Sequence, residues 1–161
     1  MRTITLPCGS IVKVCDKGYK RVRGHAWSKC GDYVSRSFEK SRKPCGKRAR
    51  GTVYMHRQII DAKKGEHVDH INGNTLDNRL SNLRICAPTQ NLQNKKSKIG
   101  TSKYKGVYFN KSAKKWRAYI TVNKKRRHLG TFENESDAAL TYNKHAKEFF
   151  GEFALLNEVA R

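Results

Sequence analysis

The sequence predicts an α+β protein assembled from small modules, on three observations. Its 161 residues contain only 37% apolar side chains, which favours several small cores over one large one. Short apolar runs cut by Gly, Lys and Asp clusters fill residues 1–50 and read as a small antiparallel sheet. Residues 104–132 alternate in the period of two that belongs to strands, and a helical pattern follows them.

Taken in order, Ile11, Val12 and Val14, then Tyr19 and Val22, then Tyr33, Val34 and Phe38 are the strand candidates of the first region. Its end, KSRKPCGKRARG, reads equally well as a basic hairpin crossing a phosphate backbone and as a solvated turn. In VYMHRQIIDA, Val53, His56, Ile59 and Ile60 recur at helical spacing, so a short helix precedes Gly65, with His56 as a hydrogen-bonded packing residue on its inner face. His67–Asn94 then reads as strand, loop, strand, helix. Val68 starts a strand that ends at His70, INGNTLDNRLSN is a loop with Asn-Gly turn chemistry, LRIC returns, and Pro88 and Thr89 open a helix. Lys95, Lys96 and Lys98 lie in KKSKIGTSK, a stretch with no apolar period that reads as a linker lying on a polyanion.

Three strand candidates follow, YKGVYF, KKWRAYITV and RRHLGTF. A helix over ESDAALTYNKHAKEFFGEF comes next, with Ser136 as its N-cap and Gly151 near its end. Trp116, Ala118 and Ile120 fall on one face of the middle strand, joined by Val107, Phe109 and Leu129. Ala139, Tyr142, Ala146 and Phe149 of the helix are expected to cover that face. The other face is left basic and hydrogen-bonding.

Charge narrows the function. The formal net charge of +22 far exceeds what solubility needs, and no acidic residue lies between Asp77 and Glu133 while fifteen Lys and Arg do. A second basic run lies between Lys40 and Arg57. With no long apolar span and no basic amphipathic helix, nucleic acid is the expected polyanion and a membrane is not. The N-terminus lacks the apolar core of a secretory signal, so an intracellular protein is expected. Five cysteines without a C-x-x-C pair give no support to a disulfide framework or a zinc ribbon, and they read as free thiols.

Asp69-His70, Asn82 twelve residues on and Asn91 nine further, with the phrases VDHINGN, LDNR and NLR between them, closely resemble the HNH (ββα-metal) nucleases, above all the homing-type branch of phages and mobile introns. The phrase YMHRQI extends the likeness back to Tyr54. Hydrolysis of a phosphodiester needs an activated water, a cation against the charge of the transition state and stabilisation of the departing 3′ oxygen. The resemblance implies His70 as general base, a task that suits an imidazole with its ordinary pKa near 6.5. It implies Asp69 and Asn91 as ligands of one divalent ion, Mg2+ or Mn2+, although the family commonly has histidine where this chain has Asn91. Asn82 is implied as the residue that fastens the loop and orients the histidine. Products with a 5′ phosphate and a 3′ hydroxyl are implied as well. Asn78 and Arg79 read as loop-fixing or phosphate-contacting residues, and Asn94 as a solvated residue of a helix face.

The phrases YKGV, KW-A-I, LGTF, AA--Y and LLN resemble the Apetala-two or ethylene-response-factor DNA-binding domain over residues 104–157. By position, Lys105, Tyr108, Asn110, Arg117, Thr121, Arg126 and His128 stand where that family puts DNA-facing side chains, whereas Trp116 belongs to the core. Several of these positions are usually Arg or Trp, so no recognition sequence carries over. The expected division is a β-rich DNA-contacting region (1–53), a nuclease (54–94), a basic linker (95–103) and a sequence-reading domain (104–161). The function expected is a site-targeted endonuclease acting on double-stranded DNA as monomer or homodimer, one strand per active site. Its rivals are a DNA-binding regulator with a vestigial nuclease motif and a nonspecific RNA-binding or structural basic protein.

Overall fold

In the computed structural model, which describes residues 1–39, 50–94 and 101–159, the protein is α+β with small antiparallel sheets. It divides into two compact units, Met1–Pro88 and Thr89–Arg161. The basic stretch 40–49, read above as a hairpin or a turn, and Lys95, Lys96 and Lys98 lie outside the described residues.

The first unit opens with a hairpin of β1 (Arg2–Thr5) and β2 (Ile11–Val14). The expected strand through Tyr19 and Val22 is instead a helix, α1 (Asp16–Val22). Cys15 caps it, its sulfur accepting from the Gly18 amide at 3.4 Å, and Val22 turns inward one turn after Gly18. Strand and helix periods are indistinguishable over so few residues, and the cap decides. A Cβ on Gly18 would stand 3.2 Å from Ile59 Cγ2, so glycine lets α1 approach α2 (Met55–Ile60) closely.

Between these helices comes a three-stranded sheet of β3 (Ser28–Cys30), β4 (Tyr33–Glu39) and β5 (Arg50–Tyr54). Val53, expected in a helix, lies in β5, and α2 starts two residues later. Next come β6 (His67–His70) and β7 (Leu83–Cys86), an antiparallel pair separated by a loop with a 3₁₀ turn at Leu80–Asn82. The helix α3 (Pro88–Gln93) follows. One core serves the whole unit: Val12, Val14, Val22 and Val34 pack with Met55, Ile59, Val68 and Leu83. The N-terminal region and the β6–β7 hairpin therefore fold on the same apolar residues.

The second unit carries the sheet β8 (Val107–Asn110), β9 (Lys115–Val122) and β10 (Lys125–Phe132), in the order β10-β9-β8, with α4 (Glu135–Phe150) on one face. Ala118 and Ile120 are buried against Ala139, Tyr142 and Ala146, as the alternation implies. Two details differ from expectation. The N-cap is Asn134, two residues before Ser136, and Phe150 rather than Phe149 is the buried ring at the helix end, because the inner stripe runs through 138, 142, 146 and 150. Gly106, at φ 77°, is obligatory: a Cβ there would lie 2.2 Å from the Tyr142 ring and 2.6 Å from the Tyr119 carbonyl oxygen.

Among the described residues, no helix is long and apolar enough to cross a membrane.

Candidate active site

The β6–β7 hairpin presents its chemistry at the end of β6. Adjacent strand residues ordinarily point to opposite faces, yet Val68, Asp69 and His70 are all buried, because the unit covers both faces of this short pair. Register pairs Asp69 with Arg84 and His70 with Leu83. Across the first pair, Asp69 Oδ2 accepts from Arg84 Nε at 2.9 Å and from Nη2 at 2.7 Å. Neither side chain has much solvent contact, so this ion pair is largely shielded from screening.

The loop from Ile71 to Asn82 is closed by backbone-like bonds from asparagine side chains. Asn82 Oδ1 accepts from the Asn72 amide at 3.0 Å, and its Nδ2 donates to Asn72 Oδ1 at 2.9 Å and to the Asp77 carbonyl at 2.7 Å. Asn72 and Asn74 each accept from the amide two residues on, at 2.9 and 3.0 Å, the asparagine turn chemistry that INGN encodes. The loop is also pinned from outside. Lys13 of β2 donates its amide to the Leu76 carbonyl and accepts from the Asn78 amide, at 2.9 and 2.8 Å, and Thr75 Oγ1 donates to the Asp32 carbonyl. Arg79 grips Asp77 with Nε and Nη2, at 2.7 and 2.6 Å, which holds the Asp77 carboxyl below its ordinary range. That fork is committed within the loop, so as placed Arg79 fixes the loop and is half exposed beside it.

His70 has its Nε2 3.3 Å from Asn78 Oδ1. Asn78 is fully buried, and its Nδ2 donates to the Thr75 carbonyl at 3.1 Å, so the amide oxygen faces the histidine. An oxygen there requires Nε2 to be the protonated nitrogen, a tautomer assigned from the hydrogen-bond network, and Nδ1 then carries the lone pair. Burial pushes the His70 pKa down, opposed by Asn78 and by the Asp69 and Asp77 carboxylates, which keeps the ring neutral at pH 7. A second imidazole lies against it: the His56 ring is 5.2 Å away, edge to face, with Tyr33 and Tyr54 packed on His56.

His56 carries a stability prediction. Burial first, then His70 and Arg57, push its pKa down to about 4. Above pH 6.5 it is neutral whether the chain is folded or not. As pH falls the unfolded chain takes up a proton first, so stability is lost between pH 6.5 and about 4, by about 3 kcal/mol in all. Urea unfolding at pH 7 and pH 4.5 should show this loss, and His56→Phe should remove most of it; an unchanged slope in the variant would place the titration elsewhere.

Among the described residues, no group of three or more His, Cys, Asp and Glu side chains forms a metal cage. Asp69 nonetheless supplies an anionic oxygen of the kind a hard cation takes, and such ions are held by one or two carboxylates, with water and phosphate oxygens completing the shell. Asn91, the other ligand implied by the resemblance, lies half buried in α3, within the second unit. Asn94, expected to be solvated, is buried, and its amide continues the turn to the Gln90 carbonyl at 3.4 Å.

In the second unit the outer face of the sheet carries Arg126 stacked over Tyr119 at 3.9 Å and Tyr108 at 4.8 Å, with the His128 ring 5.1 Å from Tyr119. Thr121 and Arg126 are exposed cross-strand partners, and Arg117 lies between Tyr108 and Thr131 with its Nε buried and without a hydrogen bond. Two residues are engaged internally. Asn110 Oδ1 accepts from the Ser112 and Ala113 amides at 3.1 and 3.3 Å, and Lys105 Nζ donates to the Gln93 carbonyl while burial lowers its pKa to about 8. Cys8, Cys15, Cys30 and Cys86 are free thiols.

Sequence reasoning left Asn78 and Arg84 without specific parts beside His70 and Asp69. Arg84 was recoverable, since a hairpin closed at His70 and Leu83 places a base opposite an acid. The loop anchor at Lys13 uses backbone atoms alone and has no side-chain signature.

The two-stranded hairpin with its asparagine-tied loop and buried histidine is the region that comparison with known families selects. A family profile described as HNH endonuclease matches residues 53–93. Two viral proteins are similar over longer stretches. An uncharacterized HNH endonuclease of Acanthamoeba polyphaga mimivirus is 36% identical over 115 residues, which are 68% of this chain and 59% of that protein. Protein 3.8 of Escherichia phage T7 is 35% identical over 92 residues, 56% of this chain and 75% of the phage protein. The chain thus carries an HNH endonuclease domain at residues 53–93. It spans somewhat more than half the length of the mimivirus relative.

Proposed function

We propose that the protein is a metal-dependent, site-targeted DNA endonuclease of the homing type that nicks one strand of double-stranded DNA per active site. The observation that carries this reading is His70, buried at the end of β6, with Nε2 fixed by Asn78 and Nδ1 left as the basic nitrogen. His70 takes the proton of the attacking water as general base. Asn82 holds the loop closed and so keeps Asn78, and through it the imidazole, in place. Asp69 and Asn91 would hold one Mg2+ or Mn2+ ion, which when bound neutralises charge on the phosphoryl and departing 3′ oxygens. Residues 54–94 carry cleavage. Residues 104–161 read sequence in the manner of an Apetala-two or ethylene-response-factor domain, with Tyr108, Arg117, Thr121, Arg126 and His128 toward base edges and phosphates. The protein works inside a cell, as monomer or homodimer on DNA.

A second reading, a DNA-binding regulator with a vestigial nuclease motif, is favoured by one observation: Arg84 already neutralises Asp69. Plasmid nicking separates the two. Wild type with Mg2+ or Mn2+ should convert supercoiled DNA to open circles and should stop on chelation; no cleavage of any DNA, the host target included, would leave the regulator.

Division of labour gives a further expected result. Lys95→Ala should weaken binding alike on all sequences and reduce the slope of log affinity against log salt by about one, whereas Arg126→Ala should alter which sites are cut. Binding titrations at several salt concentrations and sequencing of nicked sites check both. A change of site choice in Lys95→Ala would overturn the linker assignment.

A further inference from the structure

Four rings meet where the first sheet borders the β6–β7 hairpin. His56 and His70 are nearly buried, at 8% and 5% exposure, whereas Tyr33 and Tyr54 are 38% and 37% exposed. Tyr33 lies 6.2 Å from the His70 ring and 5.2 Å from His56, tilted against both. Tyr54 stacks on His56 at 5.6 Å and 28°, and meets Tyr33 edge-on at 6.0 Å.

This rim is a built feature. Tyr54 pairs with Ser35, so Tyr33, two residues along β4, is its diagonal neighbour on the same face of the sheet. Thr75 of the active-site loop donates to the carbonyl of Asp32, the residue before Tyr33, and thereby ties the rim to the loop that holds His70. The buried His56 ring serves as a floor beneath both tyrosines. Large rings left open in this way offer π-faces to solvent beside the His70 imidazole.

We infer that Tyr33 and Tyr54 form a nucleobase-stacking subsite that grips the nucleotide next to the scissile phosphate. The inference rests on the nuclease reading of His70. A phosphate that reaches His70 brings a flanking nucleoside to the Tyr33 ring, 6.2 Å from the imidazole, with Tyr54 edge-on to Tyr33 behind it. Stacking accepts every base, so the subsite positions the strand without choosing the sequence, which is left to other contacts.

The test needs no known target site. Full-length His70→Ala protein is irradiated on duplex DNA carrying 5-iodouracil in place of thymine at random positions, digested, and mapped by mass spectrometry. Adducts on Tyr33 or Tyr54 are expected; their absence from both tyrosines, with or without adducts on Tyr108 and Tyr119, overturns the subsite. In the active protein, Tyr33→Ala should lower kcat/KM about tenfold, a typical loss for one stacked base, while Tyr33→Phe should stay near wild type. Equal losses in Ala and Phe variants would assign the work to the hydroxyl and overturn stacking. Failure of the wild type to nick DNA with Mg2+ or Mn2+ would sink the nuclease reading, and the crosslinking result would still decide whether the rim holds bases.

Discussion

Full-length protein carrying His70→Ala should nick plasmid DNA between about a hundredfold and ten-thousandfold more slowly than wild type at saturating DNA and Mg2+, the range that a positioned general base contributes. Its affinity for DNA should be unchanged, because His70 is nearly buried and the exposed basic side chains proposed to meet phosphates lie elsewhere. The substitution also leaves Asn78 Oδ1 without its imidazole partner in a buried place, which costs about 1–3 kcal/mol of stability. Melting temperature therefore has to be measured beside activity, at a temperature where the variant is folded. Added imidazole should restore part of the rate by entering the vacated space, a result that simple loss of structure would not give. Cleavage within tenfold of wild type would remove His70 from the role of base.

The second large effect concerns the Asp69–Arg84 pair. Arg84→Leu should destabilise the protein by about 3–5 kcal/mol in the presence of chelator, since it strands a buried carboxylate. If Asp69 is a metal ligand, millimolar Mg2+ or Mn2+ should return part of that loss, because an ion that binds only the folded state stabilises it by mass action, about 2.7 kcal/mol at a hundred times its Kd. Asp69→Asn should be indifferent to the ion and should not cleave. Urea unfolding curves with and without the ion measure all three proteins. A loss in Arg84→Leu that no divalent ion touches would show Asp69 to be structural, and would favour the regulator reading.

Both predictions concern residues whose legibility in the chain differs. The loop-fastening part of Asn82 was implied by the family resemblance alone, whereas the hairpin that carries Asp69 and His70 was readable, because Asn-Gly turn chemistry and the alternation of short strands are local signals. The C-terminal sheet was readable for the same reason, down to Ala118 and Ile120 facing Ala139, Tyr142 and Ala146. The α1 segment was not. Seven residues carry too few turns for the period of 3.6 to separate from that of two, and a thiol cap with a glycine packed on Ile59 settled the matter.

By itself, then, the sequence determined the α+β class, the net charge of +22, the order of the candidate catalytic residues and an HNH endonuclease match at residues 53–93 that rests on a spaced set of side chains. Tertiary structure alone decided what those side chains touch. Arg84 meets Asp69 through cross-strand register, Asn78 selects the His70 tautomer because its other end is held by Thr75, Lys13 anchors the loop through backbone atoms, and Tyr33 reaches His70 from a different sheet while Tyr54 stacks on His56. The physical reason is distance along the chain. Turn and strand propensities act within a few residues, whereas burial, ring contacts and tautomer depend on partners brought together only when the apolar core from Val12 to Leu83 closes.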